Sequence, residues 1–203
     1  MRWMITAAVL FLLQALPLPP AYPRAGATKI FENNRVQVWN ISWLKQQYAL
    51  HRHLYDLIGV YYTNGDRIIV STEGARRPVS TKAWDTAYQL RGVTHVEEGA
   101  SDSPLRAVFI ELKEDAPTAL VDSATTPPAF TGGEGKQLRD NERAIMWEFV
   151  PAPAAGAAHR HMRDAVTVAF TGATPRVLYV PRGTVHTDEG IGRADRAYIV
   201  ELK

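Results

Sequence analysis

The sequence predicts an all-β protein built as two copies of one unit, and three observations carry that expectation. Short runs rich in Val, Ile, Trp and Tyr are separated by turn residues, as in RVQVWNIS, LIGVYY, RIIVS and RAVFIELK. The frame HRHLYD at 51–56 returns as HRHMRD at 159–164, and RGVTHVEEG at 91–99 returns as RGTVHTDEG at 182–190. All six histidines, at positions 51, 53, 95, 159, 161 and 186, fall inside these paired stretches.

The opening MRWMITAAVLFLLQALPLPPAYPRAGA puts one arginine ahead of an apolar run from Met4 to Leu18 and closes on small residues, the pattern of a secretory signal peptide. A run of about fifteen apolar residues falls short of the roughly twenty that span a bilayer. Residues 1–27 are therefore expected to be cleaved after Ala27, leaving a periplasmic or secreted protein without membrane contact. An uncleaved N-terminal anchor is the alternative.

Composition narrows the remaining classes. Hydrophobic residues at 46% and charged residues at 22% are ordinary for a globular domain. A net charge of +2 with no basic tract gives no footprint for nucleic acid. Cysteine is absent, which excludes disulfides and thiol catalysis and restricts any metal to nitrogen and oxygen ligands.

The first unit is expected over residues 28–113. Within it Asn64-Gly65 predicts a hairpin between LIGVYY and RIIVS, and residues 74–91, with Trp84 and Tyr88, read as an irregular lid or dimer-contact excursion. Pro, Thr, Ala and Gly dominate 114–139, a linker by composition that partly lies along the preceding unit. The second unit, 140–203, repeats the first. At an offset of 108, Arg35, Trp39, Ala49, His51, Arg52, His53, Asp56, Val60 and Thr63 recur, and RAVFIELK returns as RAYIVELK at an offset of 90. The copies differ between their anchors, with 42 positions from His53 to His95 against 25 from His161 to His186.

Alternate side chains of a strand share a face, so His51 and His53 point together, as do His159 and His161. A third imidazole from a later strand, His95 or His186, completes a nitrogen pocket suited to a divalent transition metal: iron, manganese, nickel or zinc.

At this point the chain resembles the cupin superfamily, specifically a bicupin. The HxH pair matches one cupin motif. Pro181, Gly183 and His186 match the second, PxGxxH, of which the first copy keeps Gly92 and His95 but has Leu90 for proline. The resemblance covers roughly 29–113 and 140–203. It implies two tandem double-stranded β-helix, or jelly-roll, barrels with the histidines pointing into each mouth.

In that family a glutamate follows the HxH pair, where this chain has Leu57 and Ile58, and Ala165 and Val166. Glu97 and Asp188, two positions after the third histidine and on its face, are favoured as oxygen ligands by strand parity. That set resembles the His, His, His, Glu arrangement of pirin-type cupins. Asp56 and Asp164 would reach the metal only through a bulge, and a salt bridge to Arg52 or Arg160, or a turn cap, is the reading preferred for them. Arg52 and Arg160 are expected to face outward. Trp39 and Trp147 are read as core, and Tyr48, Tyr55, Tyr61 and Tyr62 as flanking the first site only.

What the resemblance implies is a metalloenzyme acting on a small molecule, an oxygenase or isomerase, although no separate general base stands out. The alternative is a non-catalytic module holding a small ligand or a structural metal. A third reading, with one copy purely architectural and a homodimer formed through the sheets, also stays open.

Overall fold

The structure, a computed structural model, describes residues 17–203 apart from 122, 124, 130–134, 153–155, 157, 191 and 192. The expected leader lies largely outside the described residues, which take it up only from Pro17. The first half forms β1 (Ala27–Glu32), β2 (Val36–Trp43), β3 (His51–Arg52), β4 (Asp56–Tyr61), β5 (Gly65–Val70), β6 (Arg76–Thr81), β7 (Thr86–Gln89), β8 (Thr94–Gly99) and β9 (Leu105–Leu112). The second forms β10 (Lys136–Asp140), β11 (Ala144–Phe149), β12 (His159–Arg160), β13 (Ala165–Thr171), β14 (Thr174–Val180), β15 (Val185–His186), a 3-10 turn (Asp188–Gly190) and β16 (Arg196–Leu202). No α-helix occurs among the described residues.

Each half is a barrel of one large and one small sheet. The large sheets run β1-β2-β9-β4-β7 and β10-β11-β16-β13-β14, the same order built from equivalent strands. The small sheets differ, being β3-β8-β5-β6 in the first barrel and only β12-β15 in the second. The extra length of the first copy is the β5-β6 hairpin.

That placement corrects two sequence expectations. Asn64-Gly65 does not join a hairpin: β4 pairs with β7 and β9, and β5 with β6 and β8, so the chain crosses between sheets there. The tight turn lies instead after β5, where Ser71 N–H donates to the Ala75 carbonyl and Gly74 adopts φ of 85°. Residues 74–91 are also not irregular, since they hold β6 and β7. In the second barrel a two-residue turn at Gly172, φ 56°, joins β13 directly to β14.

The central strands of both large sheets are apolar at successive positions because they are buried on both faces. In β9, Leu105, Ala107 and Phe109 fill the first barrel, while Val108, Ile110 and Leu112 face the second. In β16, Ala197 and Ile199 point inward while Tyr198, Val200 and Leu202 face the first barrel. The shared core pairs equivalent residues throughout. Val36, Val38, Ile58, Val60, Tyr62, Val108, Ile110 and Leu112 meet Ala144, Met146, Val166, Val168, Phe170, Tyr198, Val200 and Leu202. The two barrels thus pack through the same face of the same sheet, as an isologous dimer would.

Two exchanged ion pairs rim this core. Arg143 of the second barrel reaches Asp56 of the first at 3.1 Å, and Arg35 of the first reaches Asp164 of the second at 3.8 Å. Asp56 also accepts from the Arg91 N–H and Asp164 from the Arg182 N–H. Both aspartates are therefore salt-bridged turn caps. Their cationic partners are Arg143 and Arg35 rather than Arg52 and Arg160.

Candidate metal centre

The imidazoles meet because β3 and β8 pair antiparallel with His51 opposite His95, and β12 and β15 pair with His159 opposite His186. His53 and His161 follow two positions on and share the face of their neighbours. A turn then locks the third histidine to the pair. Gly92 N–H donates to the His53 carbonyl at 2.7 Å, and Gly183 N–H to the His161 carbonyl at 2.8 Å. Both glycines adopt left-handed φ, 86° and 74°, which is why the second motif requires glycine there.

In each triad one ring nitrogen per histidine lies within 4.8 Å of the others. His51 Nδ1 sits 2.9 Å from the Ala49 carbonyl, so it carries the proton and leaves the Nε2 lone pair free. That Nε2 is buried without a hydrogen-bond partner. His53 Nε2 stands 3.4 Å from His95 Nε2. Tetrahedral metal–nitrogen bonds of about 2.1 Å set ligand nitrogens roughly 3.4 Å apart, the separation His53 and His95 already have, so the site fits a cation once His51 closes on them. In the second barrel His161 is 1% exposed and His186 Nε2 is likewise buried and unpartnered.

Burial favours the neutral form of His53, His95 and His186. Burial, reinforced by the neighbouring His95, lowers His53 to about 3. Burial outweighs the pull of Glu97 and lowers His95 to about 4. Burial and His159 also lower His186. Neutral imidazole is the form that ligates.

The carboxylates stand beside the triads. Glu97 lies on the face of His95, with one oxygen 4.0 Å from His95 Nε2. It is held by Arg24 at 3.0 Å, Arg67 at 3.1 Å and the Trp43 indole at 2.9 Å. Although burial opposes its ionisation, Arg24 and Arg67 hold its acidity constant at about 2. Their guanidinium groups are seated on rings in turn, Arg24 on Tyr48 at 3.8 Å and Arg67 on Trp43 at 5.1 Å. Asp188, in the 3-10 turn, lies 3.9 Å from His159 Nε2. The second barrel has Pro151 where Trp43 stands, and no counterpart of Arg67 because it lacks β5.

A cavity of about 280 Å³ opens beside His53 and Glu97, among Tyr22, Leu57, Tyr61, Arg67, Gln89 and Arg139. Arg139 enters it from β10 of the second barrel and lies 5.5 Å from the Tyr88 ring. Of the four tyrosines expected at this site, Tyr61 lines the cavity and Tyr48 carries Arg24. Tyr62 turns the other way into the inter-barrel core. Trp39 is core, donating its indole N–H to Glu111 at 2.8 Å, and Trp147 is partly buried with a longer contact to Glu201. Arg52 is exposed as expected, whereas Arg160 is 2% exposed beneath residues 126–128 and donates to the Thr126 carbonyl.

Arg24, Arg67, Arg139 and Tyr22 are the site residues that sequence reasoning missed. Arg67 and Arg139 stand alone in their strands without a repeated partner, and Arg24 and Tyr22 fall in the stretch assigned to a leader.

The sequence matches no family model and no curated protein. Solved structures resemble it. AerE from Microcystis aeruginosa aligns with a TM-score of 0.50 over 87% of this chain and 97% of its own, at 9% identity. A cupin 2 conserved barrel domain protein from Leptotrichia buccalis gives 0.49 over 87% and 88%, at 13% identity. A cupin domain from Bordetella pertussis Tohama I gives 0.41 over 49% of this chain and all of its own, at 25% identity. The likeness is one of fold.

Proposed function

We propose that this chain, a two-barrel cupin by fold, is an exported metalloprotein. It holds iron, manganese, nickel or zinc on His51, His53 and His95 and acts on a small molecule as an oxygenase or isomerase. The observation that carries this reading is the His51 Nε2 lone pair, buried beside two neutral imidazoles with no protein donor to satisfy it. A bound metal supplies Lewis acidity and open coordination positions.

The chain's own residues do the rest. The three imidazoles orient one another, and the cavity beside His53 admits the substrate. Tyr22, Leu57, Tyr61 and Phe109 form its drier walls. Arg67 and Arg139 outnumber the single carboxylate of the lining, Glu97, which Arg24 also neutralises from behind. The substrate is accordingly a small, oxygen-rich acid.

One feature favours the second reading, a module that binds without turnover. Glu97 is committed to two guanidinium groups and an indole, so it cannot serve as a general base. Elemental analysis of the native protein, set against the His51→Ala/His53→Ala variant, tests the metal. Near-stoichiometric metal lost in the variant is expected, and a metal-free wild-type protein overturns the proposal. Dioxygen uptake with small carboxylates then separates turnover from binding.

A further inference from the structure

We propose that residues 19–24 are a permanent wall of the first barrel, so that any leader removed on export is cut before Pro19. The expected cut after Ala27 would take this wall away.

The segment is bound as a strand is bound. Arg52 N–H donates to the Pro19 carbonyl at 2.9 Å and Ala21 N–H to the Arg52 carbonyl at 3.2 Å, one residue along from His51 and His53. Pro20 forms a parallel bridge with Arg52. Ala21 and Tyr22 are 2% and 5% exposed. Tyr22 packs on Trp39 at 5.4 Å and meets the edge of the His53 ring at 6.2 Å. Arg24 is one of the two cations on Glu97. Gly26 completes the approach, with φ of 78° and its N-terminal neighbours held as its carbonyl accepts from Ser42 N–H.

The second barrel repeats this device in mid-chain. Arg160 N–H donates to the Pro127 carbonyl at 3.2 Å, Ala129 N–H donates to the Arg160 carbonyl at 2.7 Å, and Pro128 bridges Arg160 in parallel. At the same offset of 108 that relates the histidine pairs, Pro19-Pro20-Ala21-Tyr22 matches Pro127-Pro128-Ala129-Phe130. No leader can lie in the middle of a chain. Residues 19–21 and 127–129 are therefore the first strand-like element of each barrel among the described residues, and the unit begins at 19 and at 127, inside the stretches that composition marks as leader and linker.

Cleavage after Ala27 would strip Tyr22 from the cavity and leave Glu97 buried with Arg67 as its only guanidinium partner. Removing one cationic partner of a buried carboxylate is strongly unfavourable. Ala15 is the last small residue ahead of the wall, and a cut after it, within the last residues of the apolar run, keeps the wall whole.

This inference does not depend on metal or turnover. The full-length gene product, expressed with its own N-terminus in a bacterial host, is recovered from the envelope fraction and its intact mass and N-terminal sequence are determined. A chain starting at or before Pro19, cleaved or not, is the expected result, and a chain starting after Pro19 overturns it. A version made to begin at Thr28 should melt well below the natural form, and an unchanged melting temperature equally refutes the wall.

Discussion

Truncating Phe170 to alanine tests how the two barrels are joined. Its side chain is fully buried, with ring centroids 5.4 Å from Tyr62 and 5.3 Å from Trp84 of the first barrel and 6.3 Å from Tyr198 of its own. Phe170→Ala should cost about 3–5 kcal/mol through lost transfer energy and the cavity left behind. For a chain of this size each kcal/mol moves Tm by roughly 2–4 °C, so a drop of about 6–20 °C is expected. Calorimetry, with near- and far-UV circular dichroism as paired probes, should show one cooperative transition displaced downward. Were the barrels independent, Phe170 would sit on a solvent-facing sheet and its truncation would change stability by only about 0.5 kcal/mol. A shift under 2 °C or so, or two separate transitions in the wild type, would refute the shared core.

Three further outcomes follow from the same geometry. Arg143→Met strands Asp56 at the barrel junction and should destabilise by about 3–5 kcal/mol; Arg35→Met, whose pair is longer at 3.8 Å against 3.1 Å, should cost less by urea denaturation. Acid should destabilise the metal-free protein. The folded-state values of His53 and His95 lie below their usual 6.5, so between about pH 6.5 and 3 the unfolded chain binds more protons and stability falls as pH falls. Glu97, depressed to about 2, acts in the same direction below 4.5. A pH-stability profile that is flat from 7 to 4 would contradict this. Gly92→Val forces a β-branched residue into φ of 86° and should cost about 1–3 kcal/mol while displacing His95, measurable as weaker Co2+ uptake by equilibrium dialysis.

The triads were legible in the sequence because strand parity and a repeated local frame fix them. HxH sets two rings on one face, and the glycine turn after it returns the third. The fold class was legible for the same reason. The partners of Asp56 and Asp164 were not, because a sequence shows neighbouring arginines such as Arg52 but not one that lies 87 positions away across a barrel junction. The successive apolar residues of RAVFIELK did carry the sign of a strand buried on both faces. Asn64-Gly65 misled because the chain changes sheets there, and turn chemistry alone does not say which strands it joins. Arg24 was hidden by its surroundings, since proline and small residues after an apolar run read as a leader even where, as at Pro19 and Ala21, they hydrogen-bond the backbone of Arg52.

The most direct test of the account is anomalous diffraction from crystals of the native protein, collected at the absorption edges of iron, manganese, nickel and zinc. A peak about 2.1 Å from one nitrogen each of His51, His53 and His95, with the Glu97 carboxylate still on Arg24 and Arg67, is the expected result. Full-strength diffraction with no peak at that point, or imidazole nitrogens turned away from it, would contradict the claim.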